Sequence, residues 1–450
     1  MWPMYNKKCM ESPVWDENVY MPREKLDALH FQRVKKMLKY CYDRVPFYCR
    51  LYDAAGIKPE DVKTWDDFYY KVPRFDKPDL LNEQDQNPDG IALKAMDLSY
   101  GLYYYETSGT TGRPFRELST FFDIYNTADV WAMGWWNAGV RPGNSVYFCF
   151  DFAMFAGFWT AFRGCERLGL RILSGARLNS EQRVNQILNY KPVMVIGTPT
   201  YLIHLIETAK KMGLDLRDAG VKYTTGAGEP GGNIPTARKK IIQGFGCKKY
   251  IDIYGISDLM FGSVECHVEC GGVHINETAF YSYFIDQDGK VIKEDGQVGE
   301  HIVTGFNRFL QPVINYRTHD LVRPYRHHDH GCNWTFIFLD GAVLGRTDHM
   351  VTIKGTNVYP TAVENLLADV EGLSNNYEVH VSLENGMDKM EVVVEASDGI
   401  AEEQYGELSR RLEEVYRTNI RVGIGVKVVS PMTCPRYELK SKRFFDHRKR

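Results

Sequence analysis

The stretch "VKYTTGAGEPGGNIPTARKKIIQGFGCKKYIDIYGISD" (221–258) decides the fold. A short strand-like run, "VKYTTGAG" (221–228), opens into a glycine cluster, and a second, "KYIDIYG" (249–255), follows after a stretch long enough for a helix. Strand, glycine-rich turn, helix, strand is the unit of a parallel sheet wrapped by helices. Working toward the N-terminus, "PVMVIGT" (192–198), "RILSG" (171–175) and "SVYFCF" (145–150) repeat the pattern. Ligands gather where such strands end, so the turns "GAGEPGG" (226–232) and "DIYGISD" (252–258) are the first candidate site.

The flanks read differently. "PREKLDALHFQRVKKMLKYCYDRV" (22–45) has apolar residues at helical spacing, and "VPFYCRLYDAAG" (45–56) ends on a glycine suited to a C-cap. After 299, "GEHIVTGF", "PVINYRTHDLV", "TFIFLD" and "MVTIKG" suggest antiparallel pieces. The last hundred residues form a compact helix–strand–strand–helix–strand unit, from "PTAVENLLADV" (360–370) to "GIGVKVV" (423–429). With a boundary in "GRTDHM" (345–350), the expectation is an α/β chain of two domains. Residues 1–347 form a large domain of mixed, largely parallel sheet with a small β-barrel-like part, and 348–450 a small, mobile α+β domain.

With 450 residues, 44% hydrophobic and a formal charge of −3, the chain is an ordinary globular protein and not a nucleic-acid binder. "MWPMYNKKCMESPVW" (1–15) lacks the apolar core of a signal peptide. "VYFCFDFAMFAGFWTAF" (146–162) is too short for a comfortable membrane span and carries Asp151, so it reads as a buried strand followed by a helix. A soluble, cytoplasmic protein without a membrane partner is expected, its ten cysteines reduced.

"TSGTTGRP" (107–114) packs hydroxyls and glycines as an anion cradle does, without the Walker spacing. Backbone N–H groups around Gly109 and Gly112 can converge on phosphate, and Arg113 adds a planar cation. Alone, it equally reads as an exposed turn. Tyr254 can stack on a purine, Asp258 can hold Mg²⁺, and Asp320 can accept both hydroxyls of a ribose. Singly, each is weak, because an Asp at a strand end is more often a cap. Two further segments, "VECHVECGGVHINE" (264–277) and "RHHDHGCNW" (326–334), offer thiols and imidazoles in two close groups, as structural zinc requires. Reduced cysteines beside surface histidines would read the same way.

The order of the motifs is more specific. "TSGTTGRP", "GEP", "YGISD", "YRTHD", "GRTDHM…KGTNVYP…VE" and "PRYELKSKR" resemble, in sequence, the motifs of the acyl-adenylate-forming superfamily. Within it the whole chain looks most like the phenylacetate–CoA ligase family. That resemblance implies ATP, Mg²⁺ and coenzyme A as cosubstrates and cofactor, with a small carboxylic acid as substrate. Thr107, Ser108, Gly109, Thr110, Thr111, Gly112 and Arg113 would hold the β- and γ-phosphates. Gly228, Glu229, Pro230, Tyr254 and Gly255 would line the adenine slot, and Asp320 with Arg346 would take the ribose. Asp258 stands where the family has Glu for Mg²⁺, and Lys440 matches the lysine that bridges carboxylate and α-phosphate, with Leu439 replacing a usual Gly. Lys442 is a fallback for that role. Asp348 would be the hinge, and Gly355 would approach the CoA arm. Some members carry a Cys/His zinc site here, which points to Cys266, Cys270, His274 and Cys332. A homodimer is an admissible assembly.

The aromatic segment 150–162 and the turns near 226 and 255 are expected to line the acid pocket, favouring a compact, aromatic acid. Two other readings stay open. One is adenylation with transfer to an amine or a carrier-protein thiol. The other is a zinc-stabilised nucleotide-binding regulator that has lost turnover, to which Asp258 and Leu439 lend support.

Overall fold

The computed structural model describes residues 12, 14–107, 114–229, 232, 234–347, 351–353, 356–358, 360–367, 370–384, 387–420, 422–436 and 443–448. The N-terminal layer is helical. Helix α1 (Arg23–Arg44) buries Leu26, His30, Val34, Leu38 and Cys41 along one stripe, as its apolar spacing predicts. It is followed by α2 (Pro46–Ala54), α3 (Trp65–Lys71) and α4 (Lys77–Gln86). Proline at the first position of α2 costs no hydrogen bond, and a Thr64/Asp67 capping box starts α3.

A hairpin of β1 (Tyr103–Glu106) and β2 (Arg116–Ser119) flanks the phosphate-loop sequence. It leads into α5 (Phe121–Ala138), begun by a Thr120/Asp123 capping box and ended by Gly139 at φ 102°. The alternation read outward from 221–258 then follows: β3 (Ser145–Phe148), α6 (Ala156–Leu168), β4 (Arg171–Ser174), α7 (Ser180–Tyr190), β5 (Met194–Gly197), α8 (Pro199–Lys211), β6 (Tyr223–Gly226), α9 (Pro235–Phe245) and β7 (Lys249–Ile256). These strands pair in parallel in the order β4-β3-β5-β6-β7.

Strand β7 is a seam. Its first half pairs in parallel with β6 and its second half antiparallel with β8 (Phe261–Val264). The sheet continues through β9 (Gly272–Ile275), β10 (Phe280–Ile285), β11 (Gly299–Gly305), β12 (Tyr316–Tyr325) and β13 (Phe338–Arg346), in the spatial order β8-β9-β13-β12-β11-β10. Strands β8–β13 are therefore one hydrogen-bonded extension of the parallel sheet. "MVTIKG", expected with the antiparallel pieces, instead holds a strand (Val351–Ile353) that pairs with Thr356–Val358 in the C-terminal unit. Because β7 is eight residues long, it can serve both halves.

The C-terminal unit has its own sheet and core. It comprises β14 (Val351–Ile353), β15 (Thr356–Val358), α10 (Pro360–Leu367), β16 (Leu373–Glu384), β17 (Met387–Ala396), α11 (Tyr405–Ile420), β18 (Gly425–Val429) and β19 (Phe444–Asp446). Its sheet runs β18-β17-β16-β19, and its buried core begins at Ile353, with Val363, Leu412 and Tyr416 from the helices packed on Val379 and Val392. Among the described residues no helix is long and apolar enough to cross a membrane.

Candidate active site

Two strand ends build the first part of the site. At the end of β6, a Cβ on Gly226 would overlap the Tyr250 hydroxyl, so only glycine fits there. Gly228 adopts φ 91°, the left-handed region open to glycine. The next residue, Glu229, faces α8, where its carboxylate accepts from the Thr200 N–H at 2.8 Å and from the Thr200 hydroxyl. At the end of β7, the buried Tyr254 packs on Phe261 and donates its hydroxyl to Asp320 Oδ2 at 2.6 Å. Arg346 Nη1 donates to Asp320 Oδ1 at 2.8 Å, so three residues distant in sequence meet at one carboxylate.

Asp320 owes its aim to an irregularity. The β11–β12 register shifts between Glu300 and Ile302, and opposite that shift His319 adopts φ 62°. Such a bulge re-aims the following side chain, and a non-glycine left-handed residue costs about 1–3 kcal/mol unless its surroundings hold it. They do: the His319 ring contacts Asp76 Oδ2 at 3.1 Å and Thr347 Oγ1 at 2.9 Å.

Asp258 lies in a separate buried cluster. Its Oδ1 is 3.1 Å from Lys77 Nζ, its Oδ2 accepts from the Tyr316 hydroxyl at 3.0 Å, and Lys77 also reaches Thr107 Oγ1 at 3.2 Å. Lys77 opens α4, and no local sequence signal marks it. Beneath Asp258, Arg308 donates to its backbone carbonyl at 3.3 Å and lies 3.9 Å from Glu117 Oε2. Glu117 is fully buried and neither of its oxygens has a hydrogen-bond partner among the described residues; burial pushes its carboxyl up to about 8. Of the sequence candidates, Ser108, Gly109, Thr110, Thr111, Gly112, Arg113, Pro230, Asp348, Gly355 and Lys440 lie outside the described residues.

Between these strand ends and α6 opens a cleft of about 750 Å³, its solvent-facing mouth included. Phe150, Phe155, Phe158, Trp131, Ile256 and Met260 line it, and none of its described lining residues is charged. Its threonine hydroxyls are committed: Thr127 donates to the Asp123 carbonyl, and Thr160 donates to Gly157 and accepts from Trp131. The segment 150–162 and the turns near 226 and 255 do face this cleft. Asp151 is not among its lining residues; it accepts from the Arg177 N–H at 2.5 Å.

The Cys/His segments meet as well. Cys266 Sγ lies 3.8 Å from Cys270 Sγ and 3.6 Å from His330 Nε2, while His274 Nε2 is 3.2 Å from His330 and 3.6 Å from Cys332. The donor atoms of Cys266, Cys270, His274 and His330 all lie within 4.8 Å of one another, as do those of His274, His328 and Cys332. His274 Nδ1 is 3.0 Å from the Phe336 carbonyl, which fixes the proton there and leaves Nε2 as an electron-pair donor. Burial holds His328 and His330 below the usual imidazole range, hence neutral. His330 completes the closest set and was absent from the four residues chosen on sequence grounds, because spacing alone cannot say which of three nearby histidines turns inward. His327 turns outward to Asp295.

Residues 355–448 match the family model of the AMP-binding enzyme C-terminal domain. The chain is 31% identical over 447 residues to a phenylacetate-coenzyme A ligase of Thermus thermophilus, covering 95% of this chain and 98% of that relative. It superposes on a 2-hydroxyisobutyryl-CoA ligase in the postadenylation state, in complex with R3-HIB-AMP, with TM-score 0.90 at 26% identity, covering 99% of this chain and 95% of that one. The same ligase with 2-HIB-AMP and CoA in the thioesterification state gives 0.72 at 28% identity, covering 98% and 93%. The chain belongs to the phenylacetate–CoA ligase family and is an AMP-forming acid–thiol ligase with the adenylate-forming fold.

Proposed function

We propose that this ligase activates a small, uncharged, aromatic acid as its acyl-adenylate and passes the acyl group to coenzyme A. The observation that carries this reading is the cleft of Phe150, Phe155, Phe158 and Trp131, which offers apolar walls and no charged partner among its described lining residues. Burying a second carboxylate or an ammonium there would leave it unpaired, at a cost of several kcal/mol. In this reading Asp320, held by Tyr254 and Arg346, takes the ribose, and the loop 107–113 takes the departing pyrophosphate. Lys440 neutralises the carboxylate and the α-phosphate as they meet, and Asp348 is the hinge about which residues 348–450 turn to admit CoA past Gly355. Cytoplasm, where ATP and CoA are supplied, is the compartment that suits this work.

Asp258 is the hard oxygen donor suited to Mg²⁺ on ATP, and Lys77 beside it and Thr107 would share the phosphate charge. When bound, the ion offsets the repulsion between two anions. Four donors from Cys266, Cys270, His274, His330 and Cys332 would make a tetrahedral structural zinc site, since the cluster gathers soft thiols and neutral imidazoles with one ring already oriented by a carbonyl. An ATP–pyrophosphate exchange screen over carboxylic acids tests the reading. Arylacetic and benzoic acids should support exchange, dicarboxylic and amino acids should not, and AMP should accumulate only when CoA is added. Exchange with dicarboxylates alone, or turnover that needs an amine in place of CoA, would refute it.

A further inference from the structure

His301, in the middle of β11, is fully buried, with its ring centroid 5.2 Å from that of Phe261 on β8 and 5.4 Å from that of Phe284 on β10. An apolar side chain would fill that space with no polar atom to satisfy, whereas an imidazole buried there needs partners for two nitrogens. Both have one. Nε2 lies 2.8 Å from the Ser282 hydroxyl, and Nδ1 lies 3.4 Å from the Tyr254 hydroxyl. Tyr254 has a single hydroxyl proton, and it goes to Asp320 Oδ2 at 2.6 Å, a shorter contact with a charged acceptor. The tyrosyl oxygen therefore accepts from His301, which puts the ring proton on Nδ1, and Nε2 accepts from the Ser282 hydroxyl. Burial holds the ring down to about 3, so it is neutral near neutral pH and carries that one proton.

The backbone of His301 serves the same aspartate. In the β11–β12 ladder Glu300 pairs with Leu321 and Ile302 with Arg317, so His301 alone faces the three residues 318–320. Its carbonyl accepts from the Thr318 hydroxyl at 2.8 Å, and Thr318 Oγ1 accepts from the Asp320 N–H at 3.0 Å. One buried residue thus holds Asp320 at both ends, its carboxylate through Tyr254 and its backbone through Thr318.

We propose that His301 is a positioning residue of the ribose clamp: its Nδ1–H turns the Tyr254 hydroxyl so that the tyrosyl proton faces Asp320, and its carbonyl seats the bulge from which Asp320 projects. The inference deepens the ligase reading and rests on Asp320 taking the ribose hydroxyls. His301 acts through Tyr254 and Thr318, and its removal therefore reads out on the ribose and not on the rest of the nucleotide.

Calorimetric binding of AMP and of 2′,3′-dideoxy-AMP to the full-length protein tests this without any acid substrate. The unmodified protein should prefer AMP. His301→Leu removes the Nδ1–H and should weaken AMP about 3–10-fold, the usual effect of losing one buried hydrogen bond, while the dideoxy nucleotide binds as before. His301→Asn, whose amide nitrogen stands where Nδ1 does, should recover most of the preference. His301→Gln, which reaches toward Ser282 instead, should not. Tyr254→Phe keeps the ring and removes the hydroxyl; it should lose the preference to the same extent, and adding His301→Leu to it should cost nothing further. Should His301→Leu not fold, the Asn and Gln variants and Tyr254→Phe decide the matter. Equal weakening of both nucleotides, or a full preference kept in His301→Leu or His301→Gln, would overturn the role of His301 and leave Asp320 its own. Equal binding of the two nucleotides by the unmodified protein would remove Asp320 as the ribose acceptor, and the clamp with it.

Discussion

Glu117 is the residue least suited to its surroundings. Among the described residues its carboxyl is buried without a hydrogen bond, and Arg308 stands 3.9 Å away and is engaged with the Asp258 carbonyl. A buried carboxyl raised to about 8 binds a proton that the unfolded chain, at an ordinary 4.5, has released. The stability it contributes is full below pH 4.5 and is lost as pH rises toward 8. Glu117→Gln removes that slope while keeping the shape of the protonated acid. Denaturation at pH 5, 6.5 and 8 should find the variant close to the parent at pH 5 and progressively more stable above, by an amount on the order of a few kcal/mol. A variant less stable by the same margin at all three values would mean that Glu117 is ionised and paired with Arg308.

Among elements, the two Cys/His segments differ in how much their sequence disclosed. "VECHVECGGVHINE" runs into β9, all of whose residues are buried, so the strand places His274 inside without separating a core imidazole from a metal ligand. "RHHDHGCNW" is a loop without periodicity, and only the fold turns His330 toward Cys266 and His327 toward Asp295. The same contrast runs through the nucleotide site. Tyr254, Asp320 and Arg346, candidates because of the ordered motifs they stand in, are brought together by β7, β12 and β13. Lys77 and Glu117 reach the site from the helical layer and from β2, through tertiary contacts that no local pattern encodes. Glu229 was legible as part of a turn, but not its direction, which depends on Thr200 at the start of α8. For the metal, elemental analysis should find about one zinc per chain, as one tetrahedral site requires. Stripping it with a chelator, or replacing Cys266 and Cys332 by Ser, should lower the Tm by several degrees while retaining the fold. Metal-free protein with an unchanged Tm would leave the cluster as buried thiols.

For the whole molecule, the question is why one chain carries a large sheet and, apart from it, a four-stranded sheet with its own core. The large sheet carries the turns after β6 and β7 and the apolar cleft beside them, and the C-terminal unit brings Arg436 and Arg443 to a second cleft against α8. In the proposed reading the carboxylate oxygen attacks the α-phosphorus and expels pyrophosphate, and the thiol then attacks the carbonyl carbon and expels AMP. Groups that serve only the first step therefore belong on the part that would turn away. Lys440 is such a group in the proposed reading, because its charge matters while the carboxylate and the α-phosphate come together and not afterwards. Lys440→Ala should therefore lower ATP–pyrophosphate exchange by ~10²–10³, the usual effect of removing one preorganised charge. CoA attack on a supplied acyl-adenylate should persist near the parent rate. Both half-reactions measured on one preparation separate this from misfolding, since a misfolded protein loses them together. If both fall equally in a protein with parental Tm, Lys440 serves both steps and the division of labour between the two domains is wrong. If exchange survives in Lys440→Ala and falls in Lys442→Ala, the division stands and the second lysine performs the role.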